Sequence, residues 1–336
     1  MTQSPTISVV IPTFNRKKEL LECLRSLEAQ TYDLSSVEVV IVDDGSSDGT
    51  REEVDAFAAR SRLRLRCLSR AHAGPSAARN AGARNTGGAV IAFTEDDVVA
   101  DRRWLECALR YFTLPEAAAV EGRTNLMNST ALRVLERGES PGFLPCNLFI
   151  RRDVFLKLGG FDPAYCDLRL NIYFREDADF GFRLLGRGYA VVSGDDVIVS
   201  HPEQFRSIRD VFRHARRYLF DPLLYRRYPQ YYRKLIEVKH LGPMTIRRPF
   251  HYLCWFYVLN LIAILTGVIS GHYTYLVPAI IIMFVLHAGL RFRYERRIFP
   301  ALWNLPSTIG FLILPFYYLY WFVRGCLRFK SWRAVI

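Results

Sequence analysis

The chain has 336 residues, half of them hydrophobic, enough for one large or two medium domains. Its formal net charge of +12 is unevenly placed: residues 1–201 carry 25 Lys+Arg against 28 Asp+Glu, and residues 202–336 carry 20 against 5. The surplus marks the C-terminal part as a basic region with a partner of its own, nucleic acid or anionic lipid. The seven cysteines (Cys23, Cys67, Cys107, Cys146, Cys166, Cys254 and Cys326) form no C-x-x-C pair, which argues against a zinc site and fits reduced thiols in a cytosolic setting.

Met1 to Pro5 is polar and the apolar run Ile7 to Ile11 is too short for a secretory signal, so the N-terminal half is expected to stay on the cytoplasmic side. That run is β-branched with little alternation, which predicts a short strand buried on both faces. Pro12-Thr13-Phe14-Asn15 ends it, and Leu20, Leu21, Leu24 and Leu27 then recur at helical spacing. Val37 to Val42 reads as a second buried strand, closed by Asp43-Asp44 and the loop Gly45 to Gly49. Glu52 to Ala59 reads as a helix, Leu63 to Leu68 as an outer strand, and Ala77 to Ala83 as a helix. Ala89 to Phe93 is the next strand, ending in Thr94-Glu95-Asp96-Asp97. Leu144 to Ile150, Gly159-Gly160-Phe161-Asp162 and a helix opening at Glu176-Asp177 continue the domain. Ala190 to Val192 and Val197 to Val199 close it as short strands before His201-Pro202. The alternation predicts an α/β domain over residues 1–202, a mostly parallel Rossmann-like sheet with helices on both faces. Ligands of such sheets sit beyond the carboxyl ends of the strands.

From Phe205 the composition changes. Phe205, Ile208, Phe212, Ala215 and Leu219 form one helical stripe, with Arg206, Arg209, Arg213, Arg216 and Arg217 clustered away from it. Residues 203–248 therefore read as a basic amphipathic region, suited to the headgroup layer of a membrane or to packing as an ordinary surface helix. Residues 249–336 hold three spans free of Asp, Glu, Lys and Arg: Phe250 to Ser270, Tyr273 to Leu290 and Pro306 to Val323. A crossing takes roughly 20 helical residues. Arg247-Arg248 before the first span and Arg291 to Arg297 after the second predict a hairpin with both ends on the cytoplasmic side. The third span conflicts with that rule, because a crossing carries Arg324, Arg328, Lys330 and Arg333 outside, and Pro306 and Pro315 interrupt it. A re-entrant or interfacial segment is the alternative.

Two strands ending in adjacent carboxylates suggest one site. Neighbouring carboxylates raise each other's pKa, and a divalent cation removes that cost and can in turn hold a diphosphate. Ser8 to Arg16, Val39 to Ser46, Ala78-Arg79-Asn80, Glu95-Asp96-Asp97 and Glu176-Asp177, taken in series, resemble the successive signatures of family 2 glycosyltransferases over about residues 6 to 202. The turn Gly159 to Asp162 is similar to one that family members often carry.

The resemblance implies a GT-A fold and an inverting transfer of a sugar from a nucleoside diphosphate sugar, UDP-sugar foremost. It assigns nucleobase and ribose contacts to Pro12, Thr13, Asn15 and Asp44, and the diphosphate to Arg79. It assigns ribose or sugar to Asp96, and Mg2+ or Mn2+ to Asp97, with Glu95 standing first in the family's D-x-D region. His201 is a further candidate ligand, the alternative being a hydrogen-bonded structural histidine. Asp177, supported by Glu176, is the candidate base for an acceptor hydroxyl, with helix capping as the plain alternative. Arg216 and Arg217 fall where relatives contact acceptor or diphosphate. A Q-x-x-R-W motif is missing, which argues against processive synthesis. Together with the apolar spans, the expectation is a multi-pass membrane enzyme of cell-surface polysaccharide or glycolipid synthesis. Its acceptor is lipid-linked or a glycan, with polyprenyl phosphate as a variant. A membrane-tethered nucleotide-binding scaffold without turnover is the reading from another class. Nucleic-acid binding ranks last, because the basic residues adjoin apolar spans rather than a recognition motif.

Overall fold

The computed structural model describes residues 6–127, 143–202, 207–236, 238–241, 244–295 and 305–334. Phe205, Arg206, Arg296 and Arg297, which figure in the expectations above, lie outside them. The chain divides into two units, Met1–Glu203 and Gln204–Ile336.

The first unit opens with β1 (Ile7–Thr13), α1 (Lys17–Glu28), β2 (Val37–Asp43), α2 (Thr50–Ala58), β3 (Arg64–Ser69), α3 (Pro75–Arg84) and β4 (Val90–Phe93). β5 (Val99–Ala100), α4 (Trp104–Tyr111), β6 (Ala117–Leu126), β7 (Leu148–Arg151) and α5 (Arg152–Lys157) follow. β8 (Cys166–Asp167), β9 (Ile172–Tyr173), α6 (Glu176–Gly186) and β10 (Ala190–His201) complete it. Eight strands form one sheet in the order β3-β2-β1-β4-β7-β6-β10-β5. β1 and β2 are buried along nearly their whole length, as central strands covered on both faces must be. Alternate residues of β1 serve two cores: Val9 and Ile11 pack with Leu24 and Trp104, while Val10 packs with Phe93, Phe155 and Phe161.

Strand direction places the site. β1 runs parallel to β2 and β4, with Thr13 opposite Asp43 and Val10 opposite Phe93, so three carboxyl ends reach one rim. β7 runs antiparallel between β4 and β6, and β10 runs parallel to β6. The two reversals restore the original direction, so β10 ends at the same rim, in His201. β5 pairs antiparallel with β10, Val99 opposite Ser200, which draws the segment after β4 alongside the end of β10. The sheet is thus mixed, with β7 reversed inside it. The two short strands expected near its end are one strand, continuous through an irregularity between Gly194 and Ile198.

The second unit holds α7 (Ile208–Ala215), a 3-10 turn (Arg216–Phe220), α8 (Asp221–Arg227), α9 (Pro229–Leu235), the hairpin of β11 (Val238–Leu241) and β12 (Met244–Arg247), and three long helices, α10 (Pro249–Ile269), α11 (Leu276–Glu295) and α12 (Leu305–Phe329). α7 is shorter than the helix expected from the stripe. It opens on a capping box between Ser207 and Asp210 and tightens into the 3-10 turn after Ala215. Its Val211 and Ala215 share a core with Tyr218, Phe250, Cys254, Leu314 and Tyr318, so its apolar side packs on α10 and α12. α12 is also a correction: Pro315 was expected to interrupt the third span, yet the helix runs through it. Proline removes one backbone donor, and the buried Phe311, Leu314, Tyr318 and Phe322 on either side hold the helix by packing. Two described helices, α10 and the Thr308–Phe329 part of α12, are long and apolar enough to cross a membrane.

Candidate active site

The acidic tip after β4 is gripped from three directions. Asp96 accepts from Thr13 Oγ1 at 2.9 Å and from Arg16 Nη1 at 3.1 Å. The same Arg16 nitrogen donates to Asp97 Oδ2 at 2.8 Å. Glu95 accepts from Arg79 Nη2 at 2.8 Å and lies 3.3 Å from His201 Nε2. Asp97 Oδ1 is buried without a hydrogen bond among the described residues, with His201 Nε2 3.5 Å away.

The charges respond to this crowding. Burial pushes the Asp96 carboxyl up to about 6, against the pull of Arg16. Burial and the neighbouring Glu95 raise Asp97 as well. Burial acts on Glu95 in the same sense, but His201 and Arg79 outweigh it and hold the group at about 2. Burial opposes a charge on His201, yet Glu95 and Asp97 lift its pKa to about 9. The imidazolium therefore balances the carboxylates of the tip.

Glu95, Asp97 and His201 present ligand atoms all within 4.8 Å of one another. Two carboxylates and an imidazole suit a hard divalent cation, and the orphaned Asp97 oxygen gives such an ion an acceptor not otherwise used. Binding it there requires His201 to give up its proton. The donor set fits a divalent metal.

Across from the tip stands the start of α6. Arg79, on α3 and only 4% exposed, also points Nη1 at Glu176 Oε1, 3.4 Å away. One guanidinium thus joins the β4 tip to the residues read as base and support. Asp177 accepts from the Ala178 N–H at 2.7 Å, and burial raises its pKa. A carboxyl shifted that way is a better proton acceptor. α3 begins at Gly74, whose φ of +89° and whose closeness to Cys166 (a Cβ there would lie 2.8 Å from its Sγ) both call for glycine.

The other acidic strand end is arranged differently. Asp44 accepts from the Gly74 N–H at 2.7 Å and the Ala73 N–H at 3.1 Å, with His72 Nδ1 at 2.8 Å and Arg70 Nε at 3.3 Å. A carboxylate has about four acceptor positions, and these four groups fill them. Asn15 ties the end of β1 to the loop after β2: its N–H donates to Ser46 Oγ at 2.9 Å and its Oδ1 accepts from the Ser47 N–H at 2.8 Å. Phe14 stacks on His72 with ring centroids 4.3 Å apart. Pro12 is half-buried within β1. Arg216 and Arg217 belong to the second unit, partly buried in the 3-10 turn.

Two residues of the cluster had no role in the sequence reading. Arg16 ended the first quoted signature, and its proximity to both aspartates comes only from the parallel pairing of β1 with β4. Glu95 stands first in the D-x-D region where that pattern has Asp, and its place two residues before Asp97 lets both reach His201.

Residues 8–159 match the pattern of glycosyl transferase family 2. That stretch lies within the first unit, makes up under half of the chain, and is where the chain is similar to the family. Among relatives, the chain is 28% identical over 215 residues to glycosyltransferase AglE of Haloferax volcanii, covering 59% of this chain and 67% of that one. It is 37% identical over 118 residues to a validoxylamine A glucosyltransferase of Streptomyces hygroscopicus subsp. jinggangensis, covering 34% of this chain and 28% of that one, so it spans under a third of that relative. Among solved structures, mannosyltransferase PcManGT from Pyrobaculum calidifontis, in complex with GDP-Man and Mn2+, is 17% identical with a TM-score of 0.54, covering 99% of this chain and 88% of that one. That likeness is one of fold, and it agrees with a GT-A architecture for the first unit.

Proposed function

We propose that the enzyme is an inverting glycosyltransferase taking its sugar from a nucleoside diphosphate sugar, UDP-sugar foremost. The acceptor is lipid-linked or a glycan, met at the cytoplasmic face of a membrane in polysaccharide or glycolipid synthesis. The observation that carries this reading is Arg79, which joins Glu95 of the candidate cation site to Glu176 at the start of α6. Pro12, Thr13 and Asn15 border the nucleobase and ribose, beside the loop that Asp44 holds. Arg79 donates to the diphosphate, and Asp96 accepts from ribose or sugar hydroxyls. A divalent cation (Mg2+ or Mn2+) on Glu95, Asp97 and His201 supplies charge stabilisation for the leaving diphosphate. Asp177, with Glu176 beside it, takes the proton of the acceptor hydroxyl. That oxygen attacks the anomeric carbon opposite the departing oxygen, which inverts the centre. Arg216 and Arg217, in the second unit, are proposed to offer positive charge to an anionic group of the acceptor.

A thermal-shift screen with UDP-, GDP- and dTDP-sugars, each with and without Mn2+, tests the reading, because a ligand of the folded state raises Tm. The expected result is a Mn2+-dependent shift with one donor class that disappears in Asp97→Ala. Silence with every donor, under conditions where the protein is folded, sinks it.

A further inference from the structure

Within the second unit, both ends of α12 meet the same end of the α10–α11 hairpin. Asn260 Nδ2 of α10 donates to the Ala279 carbonyl of α11 at 2.9 Å, which ties the two helices side by side. Arg248, at the start of α10, and Arg291, near the end of α11, are equally many residues from that tie, so they stand at one height. Arg291 donates to Thr308 Oγ1 at 2.9 Å, in the first turn of the apolar part of α12. Arg248 donates to the carbonyl of Ala334, beyond the far end of α12, at 2.6 Å. Between them, His251 packs on Phe322 and Phe250 on Tyr318. The 22 residues from Thr308 to Phe329 extend roughly 33 Å at 1.5 Å per residue. A helix of that length running along the hairpin has its ends at opposite ends of it. α12 therefore lies across the hairpin base.

Its surface has a matching pattern. Ile309, Leu312, Ile313, Phe316, Tyr320 and Leu327 are exposed and fall on one narrow helical stripe. The opposite side, with Phe311, Leu314, Tyr318 and Phe322, is buried. Half of the apolar window of α12 is buried against 11% in α10, whose Phe256, Leu259, Ile262, Leu265 and Val268 are exposed.

We propose that α12 does not cross the bilayer but lies in its cytoplasmic surface layer, stripe inward, against anionic headgroups, while α10 and α11 enter the membrane. This rests on the membrane-anchored reading above. The stripe sets the apolar contact, and charge complementarity sets the lipid: residues 202–336 carry 20 basic against 5 acidic side chains. The arrangement also resolves the sequence conflict, since Arg324, Arg328, Lys330 and Arg333 then stay on the side of Arg248 and Arg291.

The test uses the full chain in vesicles of neutral and anionic phospholipid, with Cys67 and Cys166 replaced by serine and the five buried cysteines kept. A fluorophore is attached at Ile309→Cys, Phe316→Cys, Tyr320→Cys or Leu327→Cys, and at Leu265→Cys of α10, and quenched by lipids labelled at shallow or deep positions. Equal, shallow quenching at the four α12 sites supports the proposal. A depth gradient along α12 overturns it in favour of a crossing. Absence of lipid quenching at all four overturns it in favour of a face covered by protein, such as a second copy of the chain. Leu265→Cys reads the underlying assumption separately: deep quenching there supports insertion of the hairpin, and its absence rejects anchoring by a spanning hairpin whatever α12 does. Impermeant maleimide on sealed vesicles gives a second readout. Ser270→Cys and Lys330→Cys should label from opposite sides, and labelling from the same side contradicts the surface placement.

Discussion

The two acidic strand ends look alike in sequence and do opposite work. At the end of β2, Asp44 spends its acceptors on the backbone and side chains of residues 70 to 74. At the end of β4, three carboxylates share Arg16, Arg79 and His201, and one oxygen of Asp97 has no hydrogen bond among the described residues. The first carboxylate is a structural fastener. The second group gathers negative charge in a buried place; burial first, and the neighbouring carboxylates with it, raise Asp96 and Asp97, and a cation is the natural counterpart. Adjacent carboxylates in a sequence therefore do not by themselves mark a metal site. What distinguishes the two is whether backbone N–H groups reach the carboxylate first.

The sharpest way to break this contrast is Asp97→Ala. Loss of the charge-holding oxygen is expected to lower sugar transfer by roughly a thousandfold or more, on the scale of losing a transition-state charge contact. Stability should stay the same or rise, because a strained like charge is removed. A marked fall in Tm with retained turnover contradicts the assignment. Asp177→Asn comes next, with an expected loss of roughly a hundredfold to ten-thousandfold in kcat for a hydroxyl acceptor. Full activity in that variant points instead to an acceptor already ionised, such as a polyprenyl phosphate. Asp44→Ala should show the reverse of Asp97→Ala. Leaving the Ala73 and Gly74 N–H groups unpaired costs about 2 to 4 kcal/mol of stability, read from chemical denaturation, and donor affinity suffers only as the loop loosens.

The smallest effect concerns a third carboxylate, at the opposite end of β2. Glu38 accepts from Ser8 Oγ at 2.5 Å and from Arg66 at 3.1 Å. Burial disfavours its charge, but Ser8, the Gly87 N–H and Arg66 together hold its carboxyl below the ordinary range. A carboxyl whose pKa is lower in the folded state adds stability above its unfolded pKa and loses it as pH falls through the folded value. The wild type should therefore weaken more than Glu38→Gln between about pH 5 and pH 3, where an unperturbed glutamate titrates. Parallel stability curves for the two proteins over that window exclude the assigned role.

Much of the catalytic unit was legible because its signals are local. A β-branched run such as Val37 to Val42 can only be a strand buried on both faces, and Leu20, Leu24 and Leu27 can only face one side of a helix. The placement of His201 was not legible. It depends on the reversal at β7 and on β5 pairing with β10, both of which join segments far apart in sequence. Arg16 escaped notice for the same reason: its two partners are brought to it by the β1–β4 pairing. The partners of Asp44 were not legible, since nothing in Asp43-Asp44-Gly45-Ser46 reveals that residues 70 to 74 fold back over the carboxylate. In the C-terminal part the hydropathy of the third span was plain, but its direction depends on Arg291 and Arg248, one at each end.

The central claim is that charge at the β4 tip, and not at the β2 end, holds a divalent cation. The most direct measurement is a Mn2+ titration of the purified protein followed by the EPR signal of the free ion, comparing wild type, Asp97→Asn and Asp44→Asn. One bound ion in the wild type, weakened by more than roughly tenfold in Asp97→Asn and kept in Asp44→Asn, is the expected result. Equal binding in wild type and Asp97→Asn, or loss only in Asp44→Asn, contradicts it.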